Sequence, residues 1–162
     1  MVKDMTDYFV GEKQESMLFI LAACMAIGLA VWLWTQGHRL RFMALPLVVV
    51  ALLQLVVGVT IFARTEAQVA HLSTQLSLSP TEFKQAETER MQTVMANFKV
   101  YKTVELLLLV LGAGLIAFFS KWDAATAIGI GLVLQAGFTQ ALDLFAQARG
   151  ESYLRALTGI AA

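Results

Sequence analysis

Four stretches of this chain hold too few charges to sit comfortably in water, and the residues beside them repeat at helical spacing. From Ser16 to Thr35 there is no charged residue in twenty positions. Twenty helical residues rise about 30 Å, enough to cross the hydrocarbon of a bilayer. The expected membrane spans are 16–35, 43–63, 103–119 and 124–145. The link 36–42 is short, so the second span must return beside the first as an antiparallel neighbour. Pro46 falls in its first turn, where a missing N–H does little harm.

The helical period does not stop at the membrane edge. Ile61, Thr65, Val69, Leu72 and Leu76 follow one another at steps of three or four, so helix 2 is expected to overshoot the bilayer. Ser79, Pro80 and Glu82 then form a start signal: an N-cap serine, a proline at the first helical position and a carboxylate in the first turn. No Pro or Gly interrupts the chain from Thr81 to Leu111, and Met91, Val94, Phe98 and Tyr101 mark a face that runs on to Glu105. One rigid helix should therefore pass from water into lipid with a carboxylate on its packed side. The predicted fold is all-α, an integral membrane four-helix bundle forming a single transmembrane domain over 1–162. Helices 2 and 3 are predicted to extend beyond the membrane as an antiparallel helical hairpin over about 64–102, on the order of 25 Å long.

Composition agrees with a membrane protein and narrows its partners. The chain is 58% hydrophobic and 15% charged, with mean hydropathy +0.68, too apolar for an ordinary soluble domain. Twelve basic residues balance twelve acidic ones and form no basic block, so nucleic acid is not an expected partner. The first apolar run ends in Trp32 and Trp34 and lacks a small-residue cleavage site, which favours a span over a cleavable signal peptide. The single cysteine, Cys24, excludes an intrachain disulfide and is expected to be a small core residue. Two small-residue stripes, Ala22, Ala26 and Ala30 on helix 1 and Ala125, Gly129, Gly137 and Ala141 on helix 4, should pack against each other or across a homodimer.

Four alternating spans gather most of the chemistry at one membrane edge. That edge is expected to hold Glu12, Lys13, Glu15, Arg64, Tyr101, Lys102, Glu105, Asp143, Arg149 and Tyr153. The other has short turns and Trp32, Trp34 and Trp122, an interfacial belt. A stripe of Gln135, Thr139 and Asp143 should point inward on helix 4, and Gln54 is the one strongly polar side chain of span 2. An ionised carboxylate at mid-membrane costs about 2.5–3.5 kcal/mol, so Glu105 and Asp143 need a reason to be there. Either they pair with Arg64, Lys102 or Arg149 and lock the helix register, which the sequence favours, or they form a site for a cation, a proton or a polar ligand. Gln54 and Gln135 are expected to hydrogen-bond between helices.

No catalytic motif accompanies them. HExxH, GxSxG, Walker and CxxC patterns do not occur, and Ser16, Ser120 and Ser152 have no nearby histidine. His38 and His71 should fall on opposite sides of the membrane as solvated residues that cannot share a metal. A metal site from Glu12 or Glu15 with Glu105 and Asp143 is conceivable, but Arg64, Lys102 and Arg149 would compete with the ion. No cofactor and no enzymatic activity are expected. Nine Lys and Arg lie on the hairpin side against Arg39, Arg41 and Lys121 on the turn side, which places the termini and hairpin in the cytoplasm of a bacterial inner membrane. The leading functional expectation is a protein-protein interaction made by the projecting hairpin, as an accessory subunit or immunity protein would make it. The alternative is binding and transport of an ion, proton or small polar ligand at the intramembrane carboxylates.

Overall fold

A computed structural model describes residues 2–37 and 39–159. Among them are four long helices and no strand: α1 Val2–Thr35, α2 Ala44–Leu78, α3 Pro80–Phe118 and α4 Asp123–Thr158, with a 3-10 turn at Arg41–Met43. Every one of the four is long and apolar enough to cross a membrane, which indicates a membrane protein. Each holds 34 to 39 residues, a rise of roughly 50–60 Å against a hydrocarbon layer of about 30 Å. All four, and not only helices 2 and 3, are therefore longer than their spans.

Local sequence sets where the helices stop. Pro80 occupies the first position of α3 as its fixed φ favours, while Ser79 accepts the Phe83 N–H on its backbone carbonyl at 2.9 Å. The Ser79 hydroxyl makes no capping bond, so the expected start is correct in place and different in means. Gly159 closes α4 in the left-handed region at φ 74, its N–H reaching the Arg155 carbonyl at 3.0 Å.

The helices associate chiefly as α1 with α2 and α3 with α4, while α2 and α3 meet only sparsely. At the end where α2 gives way to α3 all four contribute to one core: Met5, Tyr8 and Phe9 from α1, Leu72 from α2, Phe83 and Met91 from α3, Tyr153 and Leu157 from α4. Val69, Leu76 and Val94, the stripe expected on the hairpin arms, pack against this core. The arms are thus not alone there. The polar N-terminal segment and the C-terminal tail are helical and cover them, because Met5, Tyr8, Phe9, Tyr153 and Leu157 continue an apolar face through otherwise charged sequence. A second core at the turn end joins Ala30, Leu33, Met43, Ala44, Leu47 and Ala127, without α3.

Glycine sets the closest approaches. A Cβ on Gly129 would stand 2.6 Å from the Gly112 carbonyl oxygen, and one on Gly112 would stand 2.8 Å from that of Gly129. These two helices cross backbone to backbone there. Gly131 lies against Pro46 and Gly58 against Ile20 and the Ser16 carbonyl, whereas Gly137 has only Leu109 nearby at 3.9 Å. The small residues of helix 4 therefore serve mainly α3 and α2, and meet α1 near Ala30 and Ala127. Cys24, expected in the core, is exposed on the outer face of α1.

Candidate functional site

The candidate residues do not form one cluster. They separate into levels along the helices, each with its own electrostatic solution.

The outermost level is closed. Glu87, 2% exposed, accepts from Arg90 Nε and Nη2, both at 2.7 Å, and from the Tyr153 hydroxyl at 3.2 Å. The Tyr8 ring stacks on Tyr153 at 4.9 Å and the Arg90 guanidinium lies over Phe9 at 5.5 Å. Burial and the nearby Glu12 charge push the Tyr8 hydroxyl up to about 12, and burial with the Glu87 charge raises Tyr153. Tyr153, expected beside Glu105 and Asp143, belongs here instead. Neither Glu87 nor Arg90 stands out in the sequence, since a Glu and an Arg three apart on a polar helix normally face water.

The next level is a row of ion pairs from α1. Arg64 reaches Glu12 at 3.4 Å, Arg149 reaches Glu15 at 2.5 Å and Lys13 reaches Glu66 at 2.5 Å. Arg149 passes across Gly11, whose added Cβ would lie 2.5 Å from Arg149 Cδ. Burial raises the Glu12 carboxyl above its ordinary value, and Arg64 offsets only part of that. Two of the three cations expected to neutralise Glu105 and Asp143 are therefore engaged elsewhere. Tyr101 drops out as well: it is half exposed, with its ring edge-on to Phe98. At about 100° per residue it has rotated roughly 80° from the Met91 direction, while Glu105 has rotated only about 40°.

Glu105 and Asp143 are buried, 6% and 8% exposed. They face each other across α3 and α4, each in electrostatic reach of the other and of Lys102. No ion pair is recorded for either among the described residues, and Glu105 Oε2 is buried with no hydrogen-bond partner. Lys102, the third expected cation, donates to Gln147 Oε1 at 2.5 Å, and Gln147 Nε2 donates to Glu151 Oε1 at 2.6 Å. The pairing of these carboxylates with Arg64 or Arg149 is thus not what the structure builds.

Deeper still, Gln54 Nε2 donates to Thr139 Oγ1 at 3.1 Å and approaches Gln135 Oε1 at 3.5 Å, while Gln135 Nε2 reaches the Leu47 carbonyl at 3.4 Å. Both glutamines bridge helices as their burial requires. Gln135, Thr139, Asp143, Gln147 and Glu151 stand at successive four-residue steps on α4, a file about 24 Å long. Four residues overshoot one turn by about 40°, so the file winds around α4. It faces Gln54 of α2 at its deep end and Lys102 of α3 at its outer end. Gln147 and Glu151 were visible in that spacing, but a tail ordinarily assigned to water hides them.

No group of three or more potential metal ligands forms among the described residues, so Glu12 and Glu15 do not join Glu105 and Asp143 around an ion. His71 is exposed on α2, and His38 lies outside the described residues. No known protein family, curated protein or solved structure matches the chain.

Proposed function

We propose that this chain is an integral membrane protein that holds an exchangeable proton between Glu105 and Asp143, reached from the side on which the helices project. The observation that carries the proposal is that the buried Glu105 carboxyl lies within hydrogen-bonding reach of the Asp143 carboxyl and keeps its Oε2 without a partner, while Arg64 and Arg149 are bound to Glu12 and Glu15. Two facing carboxylates in a low-dielectric site do not both stay ionised, and a shared proton relieves them without a third ligand. The polar file supports access from one side, since beyond Gln135 helix α4 presents Gly131, Gly129 and Ala127 to close packing. Binding of a proton that alters helix packing therefore suits the arrangement better than steady conduction. In this proposal the four helices form a membrane bundle whose projecting end and termini lie in the cytoplasm of a bacterial inner membrane, supported by the nine-to-three distribution of Lys and Arg.

The test is infrared spectroscopy of the protein in liposomes. The protonated-carboxyl band should titrate between about pH 5 and 9 and should be lost in Glu105→Gln and Asp143→Asn. A spectrum with no such band over that range would overturn the proposal.

A second reading, contact with a protein partner, keeps one specific support, although not on the hairpin stripe. In its most apolar window α3 has 11% of its residues buried, against 28% in each of the other helices. An accessory subunit would present that face to a partner or to a second copy of itself. Affinity purification from native membrane at natural abundance tests it, and recovery of the chain alone counts against it.

A further inference from the structure

We infer that Lys102 is the gate of the carboxylate pair, held on Gln147 while Glu105 and Asp143 share a proton and transferred to them when that proton leaves. The inference rests on the proton-binding reading above and specifies how that site is regulated.

The geometry supplies two alternative acceptors for one ammonium. Lys102 precedes Glu105 by three residues on α3, and Gln147 follows Asp143 by four on α4, so each pair shares a helix face about one turn apart. The ammonium is bound to Gln147 Oε1 at 2.5 Å yet lies in electrostatic reach of both carboxylates. A lysine has a flexible stem of four carbons and three donors, so a shift of about one turn, roughly 5 Å, needs rotamer changes and no backbone movement. Gln147 is itself oriented by Glu151, which accepts from its amide and leaves Oε1 free to hold the lysine. A pair that shares one proton carries a single negative charge held between its own oxygens, a weaker pull on the ammonium than the doubly charged pair left when that proton goes. An ionised pair offers a much stronger acceptor in a desolvated place.

The other charged groups around the pair do not replace Lys102. From α1 Glu15 lies in electrostatic reach of Asp143, and it is bound to Arg149. Arg64 of α2 is bound to Glu12, and the polar group that α2 offers deeper down is the uncharged Gln54. On α4 itself Arg149 is turned toward α1 across Gly11. Lys102 is the cation that the site can gain or lose.

Two replacements should act in opposite directions, which a purely structural lysine would not produce. Lys102→Met removes the competing cation, so in the infrared titration the protonated band should persist to higher pH. Gln147→Leu removes the resting acceptor and frees the lysine for the pair, so the band should be lost at lower pH. Each displacement should be on the order of tenfold in proton concentration. Opposite displacements support the gate. If the native protein shows the band but the two variants move it together, or neither moves it, the gate is overturned and the proton site stands. If the native protein shows no band at all, the proton site itself falls.

Discussion

Glu87 and Glu105 stand eighteen residues apart on α3, about five turns and therefore on one face, and both are buried against α4. Glu87 is completed by its surroundings: a two-pronged guanidinium, a tyrosine hydroxyl and aromatic rings from α1 and α4. Glu105 is not. It faces another carboxylate, and the arginines a turn or two away serve Glu12 and Glu15. One helix thus carries a fully partnered acid near its N-terminal end and an acid without a counter-charge about five turns further on. A buried charge with every partner present is held by the structure, whereas one without them carries an electrostatic cost that varies with protonation.

The largest effect should come from opening the fully partnered site. Arg90→Met leaves Glu87 buried with the Tyr153 hydroxyl but no counter-charge and should lower stability by about 3 kcal/mol, since the Arg90 side chain is 28% exposed and Glu87 only 2%. Thermal unfolding in detergent measures it. A change below that of an ordinary surface replacement would erase the contrast between the two acids.

Gly129→Leu should rank next, at about 1–3 kcal/mol, because the added side chain meets a carbonyl oxygen across the α3–α4 crossing that positions Glu105 opposite Asp143. Gly137→Leu, whose added Cβ would meet only Leu109 at an ordinary 3.9 Å, should cost much less in the same assay. Equal losses would mean that the crossing lies elsewhere.

Tyr153→Phe removes one donor from Glu87 while Arg90 remains, and should cost about 1.5 kcal/mol. The smallest effect is a pH slope at the boundary between the two regions. The Glu12 carboxyl is raised in the folded state, so the native protein holds more protons than the unfolded chain and the Glu12 contribution is present at low pH. It is lost as pH rises from the ordinary glutamate value through the folded one. Glu12→Gln should flatten that part of the stability profile, and an unchanged profile would show Glu12 to be exposed. Tyr8, raised from 10.0 to about 12, should by the same sign add a further loss above about pH 10.

Much of this was legible in the chain. Charge-free runs, Pro80 after Ser79 and the steps from Ile61 to Leu76 mark the helices, because hydrophobic period and backbone restriction act locally. That Gln54 and Gln135 bond between helices, and that Glu105 and Asp143 lie at one level, could be expected because an apolar span leaves few alternatives for a polar side chain. What the chain conceals is partner choice among many charges. Arg64 and Arg149 had equally good acids in Glu12, Glu15, Glu105 and Asp143, and the packing of α1 beside them brings Glu12 and Glu15 within reach. The N-terminal segment looks like a polar tail until Met5, Tyr8 and Phe9 find the face that Tyr153 and Leu157 continue from the other end of the chain.

Thermal stability of Glu105→Gln, Asp143→Asn and the double variant, read as a mutant cycle between about pH 5 and 8, tests the central claim most directly. If the carboxylates share a proton, each single replacement leaves stability unchanged or raises it, and the two effects are non-additive with a coupling that changes with pH. If each replacement instead removes about 3–5 kcal/mol, as the loss of a buried ion pair would, or if the effects add strictly at every pH, the pair is structural or is not a pair, and the proton site must be given up.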